Sequence, residues 1–186
     1  MKAVVFIANG SEEIETFTPV DYLRRAGVDV TLAAVGTDSK TVVCSHNVSV
    51  NADCVLKDIL QEPLPDAVIV PGGMPGAVNI SECKYAIEFL SKMKKAEKLL
   101  CAICAAPALV LGKHGFIEKS LWTCYPGMQE NVPECLSSFT DKAFVHDKNL
   151  ITGRGPGAAE EFSMEIVATL CGKGTADKIK KGSVQR

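Results

Sequence analysis

The stretch KLLCAICAAPALVLG, residues 98 to 112, carries two side chains capable of covalent chemistry, Cys101 and Cys104. In an extended strand, residues three apart lie about 10 Å from each other on opposite faces, because each residue rises roughly 3.3 Å and faces alternate. A disulfide needs Cα atoms within about 7 Å, so this pair is not bridged. A thioredoxin-type redox pair would sit in the first helical turn rather than inside the strand, and no second C-x-x-C or C-x-x-H offers further zinc ligands. Cys101 therefore reads as a core thiol. Cys104 stands at the step from strand to helix, between Ala102 and Ala106, with Pro107 in the first turn, where its missing N–H costs nothing. Small-x-nucleophile-x-small is what a nucleophile elbow demands, because bulky neighbours would collide in so sharp a turn. A thiol there faces the amides of a helix N-terminus, which favour the thiolate. The competing reading is a buried cysteine that ends a strand.

A nucleophilic thiol calls for a proton acceptor. The segment NGSEEIETFTPVD offers carboxylates at the start of a helix, with Ser11 suited to the cap and Glu12 and Glu13 to the first turn. Pro19 removes one helical hydrogen bond and crowds the carbonyl four residues back, that of Glu15. The expectation is a kink at Glu15, the acidic residue past the first turn. In VPGGMPGA, Gly72 and Gly73 can adopt positive φ and bring amides close to a ligand. The N–H groups of Gly73 and Ala105 together would form an oxyanion hole, if this loop is more than an ordinary tight turn.

Positioning those groups requires strands that end on one edge. Apolar runs at residues 2 to 8, 28 to 35, 66 to 73, 98 to 103 and 149 to 153 read as strands buried on both faces. Helical spacing fills residues 12 to 27, 85 to 98, the segment after Pro107, and 158 to 172. The alternation predicts a parallel sheet covered by helices on both sides, with ligands at the carboxyl ends of strands. Residues 40 to 50 suggest a small hairpin, and 122 to 147 mix a short strand with irregular loop. The 186 residues suit a single domain spanning 1 to 186. Net charge is −2, which gives no reason to expect nucleic acid or an anionic membrane as partner. No apolar run approaches a membrane span, and a cytoplasmic protein is expected, with most of its 8 cysteines acting as buried thiols.

Taken together, GSEEIETFTPVDYLRRAG, VVCSHNVSV, DAVIVPGGMPGA, AICAAPALVL and TGRGPGAAEEF resemble the ThiJ/PfpI family, in the branch of the Parkinson-linked protein DJ-one, over essentially the whole chain. The resemblance implies an α/β, flavodoxin-like fold of the class I glutamine amidotransferase type, usually a homodimer. It implies that Cys104 is an oxidation-sensitive nucleophile, that Glu15 is a protonated carboxyl bonded to it, and that Gly73 and Ala105 hold the oxyanion. Gly72, Tyr125 and Arg25 would line the site. Three departures stand out. Tyr125 occupies a position where relatives carry histidine, and a phenol is a poor base at neutral pH. His46 replaces an expected arginine and so affects how Arg25 is held, and Asn51 replaces a cysteine found at the dimer contact of some relatives. His114 and His146 read as structural or solvated.

The activity implied by the resemblance is that of a glyoxalase III, which converts methylglyoxal or glyoxal to a hydroxy acid without glutathione, cofactor or metal. Deglycation of protein or nucleotides would share its first step. The alternative is an oxidative-stress sensor and holdase-type chaperone working through oxidation of Cys104. A cysteine peptidase ranks lower, because Tyr125 replaces the base it would need.

Overall fold

The computed structural model describes residues 1–185. Each β-branched run of the chain forms a strand whose alternate side chains enter different cores. In β1 (Lys2–Ile7), Val4 and Phe6 face one apolar cluster while Val5 and Ile7 face the other. The chain continues through α1 (Glu13–Arg25), β2 (Asp29–Ala34), the hairpin of β3 (Thr41–Val43) and β4 (Ser49–Asn51), and the short β5 (Cys54–Val55). It then returns as β6 (Ala67–Val70), α2 (Gly76–Glu82), α3 (Lys84–Lys95) and β7 (Leu99–Ile103). An edge hairpin of β8 (Phe144–Asp147) and β9 (Leu150–Gly153) precedes α4 (Ala159–Cys171) and α5 (Lys173–Gly182).

Seven strands form the main sheet in the order β5-β2-β1-β6-β7-β9-β8, parallel except where β8 runs against β9. Side chains of α2 and α3 pack on one face through Ile80, Phe89, Leu90 and Met93. The other face is covered by α1 and α4 through Val20, Leu23, Phe162 and Ile166, with Ala176 of α5 in the same cluster. The flavodoxin-like sandwich read from the sequence is thus the observed architecture. The chain winds outward from β1 through β2 to β5 and then crosses back to β6. A crevice therefore opens between the carboxyl ends of β1 and β6, the topological switch point where such sheets bind ligands. Among the described residues, no helix is long and apolar enough to cross a membrane.

Three local expectations are corrected. Ser11 does not cap α1; its hydroxyl accepts from the Ala8 amide, and Glu12 is the cap, accepting from the Glu15 amide at 2.7 Å. Glu15 consequently lies in the first turn rather than beyond it, and α1 runs unbroken through Pro19. The segment after Cys104 is a short π-helix, Pro107–Gly112, rather than an α-helix. Pro107 brings no N–H to its first turn, and π-type turns of this kind recur at functional sites.

Candidate active site

Three strand ends converge on Cys104. Its own strand, β7, stops at Ile103, and Cys104 follows with φ +65°, a left-handed conformation that cysteine rarely adopts. Both backbone groups are held, its N–H donating to the Gly153 carbonyl at 2.9 Å and its carbonyl accepting from the Tyr125 amide at 2.8 Å. The sharp turn read from small-x-Cys-x-small is therefore present, and its strain is borne by bonds to two neighbouring segments. The side chain is half-buried and packs against both apolar clusters, as befits a residue at the sheet's end.

Glu15 comes from the first turn of α1 and is fully buried. Its Oε2 accepts the Gly72 amide at 2.9 Å, whereas Oε1 has no partner of hydrogen-bond geometry. The Cys104 thiol is the polar group beside it. Burial pushes the Glu15 carboxyl up to about 7, aided by the charge of Glu12 and opposed by the contact with Cys104 and the Gly72 amide. Cys104 responds to the same contact. Burial and an ionised Glu15 push the thiol up to about 12, against the amides of Gly73 and Ala105, which reach toward the sulfur and favour the thiolate. The thiol lowered by a helix terminus alone is thus not what the fold builds. With Glu15 protonated, the repulsion vanishes and its O–H can donate to sulfur, so the two groups titrate as one unit holding a single negative charge.

Gly72 is the spacer between them. A Cβ there would lie 2.7 Å from the Cys104 Cβ, 2.7 Å from Glu15 Oε2 and 3.0 Å from the Ala105 nitrogen. Gly73, at φ +85°, is confined differently, since a Cβ would stand 2.4 Å from the Gly10 carbonyl oxygen. Glu12 closes the arrangement, its N–H donating to the Gly72 carbonyl at 3.2 Å while its side chain caps Glu15. The sequence suggests Glu12 for the first turn, whereas the structure makes it the cap. The spacing of N-cap to N3 in E-E-I-E is the signal that identifies its role.

Of the other residues drawn to the site by sequence, Tyr125 is present and Arg25 is not. Tyr125 is 47% exposed, its ring lies beside Gly155, and its hydroxyl makes no hydrogen bond among the described residues. Arg25 ends α1, at the opposite edge of the sheet, where its Nε pairs with Asp21 at 2.6 Å in the open. Arg24, the residue before it, pairs with Asp53 at 3.0 Å, and neither arginine belongs to the crevice. His46 instead ties the β3–β4 hairpin to α1, its ring and amide both meeting Glu13 at 2.7 Å. Burial alone would raise Glu13, but the His46 ring and amide and the Ser45 hydroxyl overcome it and hold the carboxyl at about 2. His114 bonds Ser81, and His146 bonds Glu165 and the Lys148 carbonyl, both away from Cys104 as read. Asn51 pairs with Thr41 across the hairpin.

A parallel, doubly covered sheet that ends in a strained cysteine beside a buried carboxyl and two convergent amides defines a cysteine-elbow α/β protein. The chain belongs to the DJ-1/PfpI family, whose profile matches residues 1–169. It is 38% identical to the protein dj-1beta of Drosophila melanogaster over 180 residues, covering 97% of this chain and 95% of that one. It is 33% identical to the glutathione-independent glyoxalase DJR-1.2 of Caenorhabditis elegans, covering 92% of this chain and 89% of that one. The oxidized DJ-1 of Toxoplasma gondii superposes with a TM-score of 0.92 at 34% identity, covering 98% of this chain and 97% of that chain.

Proposed function

We propose that this protein is a glutathione-independent glyoxalase that converts a 2-oxoaldehyde and water to a 2-hydroxy acid, with Cys104 as nucleophile and Glu15 as the single acid-base. The observation that carries the reading is the fully buried Glu15, with an unpartnered Oε1 and a carboxyl pushed up to about 7, beside the thiol. A group with that pKa gives and takes a proton at neutral pH with little penalty in either direction. The name of the nematode relative supports the same class of activity.

The chemistry follows from the placement. Cys104 passes its proton to Glu15, and sulfur bonds to the aldehyde carbon as the carbonyl electron pair moves onto oxygen. The amides of Gly73 and Ala105 receive that oxyanion, which takes its proton from Glu15. Glu15 then removes the hydrogen from the former aldehyde carbon and returns a proton to the neighbouring carbon, while the hydroxyl proton of the first carbon passes to the oxygen of the second. The enediol between these steps becomes a thioester of the hydroxy acid. Water cleaves the sulfur–carbon bond and restores the thiol, so one carbon is oxidised, its neighbour is reduced, and no external oxidant is consumed. No cofactor or metal enters this scheme. Deglycation of protein or nucleotide would begin with the same sulfur addition. We assign residues 1–186 to one domain acting as a cytoplasmic homodimer, for which exposed Ile14, Val43 and Val48 on α1 and the hairpin supply apolar surface.

Lactate formed from methylglyoxal by metal-chelated protein without glutathione tests the reading. Turnover is expected, and its loss in Cys104→Ser and Glu15→Gln. Absence of lactate from fully reduced parent protein, or undiminished turnover in Cys104→Ser, overturns it. A second reading, redox sensing with holdase-type protection, is favoured by the same two amides, which would hold the oxygens of a Cys104 sulfinate. Peroxide titration of Cys104 in the Glu15→Gln variant, which keeps a hydrogen-bond donor, separates the two roles.

A further inference from the structure

One groove near the site does not include Cys104 in its lining. It has a volume of about 560 Å³ and lies immediately beside that residue, lined by Tyr125 and Pro126, by Asp141 and Lys142, and by the chain from Arg154 to Ala158. Methylglyoxal has five heavy atoms and needs only a fraction of that space; grooves of this size are typical of much larger ligands. The groove is wired to the nucleophile through the backbone. Gly153, which accepts the Cys104 amide, precedes Arg154, and Tyr125, which donates to the Cys104 carbonyl, forms the opposite wall. Ile103 pairs with Gly153 in the parallel register, so the Cys104 and Arg154 backbones that follow stand about one interstrand step, roughly 5 Å, apart.

The charges of this groove favour an anion. Arg154 gives its Nε to Asp141 at 2.7 Å, but its Nη groups and the Lys142 ammonium have no partner among the described residues. Two cations against one carboxylate leave an excess positive charge. At the groove's end α4 begins at Ala159, and Glu160 and Glu161 of its first turn lie outside the groove's lining.

Resting on the glyoxalase reading, we propose that the preferred substrate is a 2-oxoaldehyde with a carboxylate or phosphate at its far end. The reacting aldehyde lies at Cys104, and the anionic end is held by Lys142 and the free Nη groups of Arg154. Arg154 and Lys142 are specificity-determining residues in this account. The reaction keeps the balance given above: addition of one water across the dicarbonyl yields the 2-hydroxy acid, and the distant anion is unchanged.

The test compares kcat/KM for 4,5-dioxopentanoate with that for neutral 2-oxohexanal, a chain of similar length. The parent protein is expected to favour the anion about tenfold at low salt, with the preference shrinking as salt is raised. Lys142→Gln and Arg154→Gln should each reduce that ratio, and the double variant should bring it near one. A parent ratio of one, or a tenfold preference that survives in the double variant, overturns the proposal. A second readout does not require turnover: the rate at which 3-maleimidopropionate modifies Cys104, relative to N-propylmaleimide, is followed by mass spectrometry of the Cys104 peptide. If the parent makes no hydroxy acid but the charged maleimide is favoured and the double variant abolishes that preference, the glyoxalase reading fails and the anion groove stands. If neither maleimide is favoured, the groove assignment fails whatever the turnover.

Discussion

Replacing Glu15 by glutamine should change how the stability of the protein depends on pH, whether or not any substrate is turned over. Burial raises the carboxyl from 4.5 to about 7 in the folded protein. A group whose folded pKa exceeds its unfolded one binds its proton more tightly in the native state. Its favourable contribution is fully present below pH 4.5 and is lost as pH rises through 7. Between pH 5 and pH 8.5 the loss amounts to about 2.5 kcal/mol, from 1.36 kcal/mol per unit of pKa integrated over the two titrations. Glutamine does not titrate. It can accept from the Gly72 amide through its carbonyl and present its NH₂ to Cys104. The assay is urea unfolding of the parent and Glu15→Gln at pH 5 and 8.5, in a Cys104→Ser background so that the thiol does not share the titration. The parent should lose about 2.5 kcal/mol relative to the variant across that window. Because burial is the largest cause of the shift, the serine background should preserve most of the difference. A gap between the two proteins that stays constant from pH 5 to 8.5 would show that Glu15 ionises as readily folded as unfolded, and the proton-sharing account would fall with it.

Other perturbations address neighbouring parts of the site. Gly72→Ala would place a methyl 2.7 Å from both the Cys104 Cβ and Glu15 Oε2, so lactate formation should fall by about 100-fold, while stability drops by about 1–3 kcal/mol. Tyr125→Phe should retain most of the parental kcat/KM, since the exposed hydroxyl has no partner among the described residues; a loss matching Cys104→Ser would make the phenol a participant. In His46→Ala, the Glu13 carboxyl should titrate closer to its ordinary value of 4.5 instead of about 2, a rise visible by NMR. As a depressed carboxyl, Glu13 supplies stability above pH 4.5 that is lost as pH falls toward 2, and this acid-side slope should flatten in the same variant. Cys101→Ala should leave the pH profile of turnover in place and lower stability by about 1–2 kcal/mol, because the thiol is wholly enclosed in the core.

Much of this arrangement was legible in the chain because the signals were local. Five of the six parallel strands are visible as β-branched runs, and the hairpin of β3 and β4 as two short alternating segments around SHN. The elbow at Cys104 followed from alanines and a proline whose sizes are dictated by the turn. What stayed hidden depended on contacts distant in sequence. β5 has two residues and becomes a strand only because β2 offers an edge, and β8 is defined by its antiparallel partner. The helix start was misjudged because a glutamate served as cap in place of the serine beside it, which also shifted Glu15 into the first turn. Arg25 was drawn toward the site by family likeness, whereas helix length carries it to the far edge and to Asp21. Arg154 stands within TGRGPGAAEEF without a role of its own, and Lys142 gives no signal, since their groove exists only once the edge hairpin and the start of α4 are folded beside Tyr125.

The two backbone bonds that grip Cys104 carry a further consequence. The residues that make the pocket chemistry, at positions 15, 72, 104, 125 and 153, come from five separate stretches of chain, and none of these stretches can hold its neighbour alone. A partly assembled chain, with β9 not yet docked, would lack the carbonyl that fixes Cys104 in its left-handed turn. Competence to react with a carbonyl should thus appear late in folding, together with the closing of the sheet. A nascent or heat-loosened molecule would present only an ordinary thiol, so the reactivity of this cysteine doubles as a gauge of the protein's own integrity.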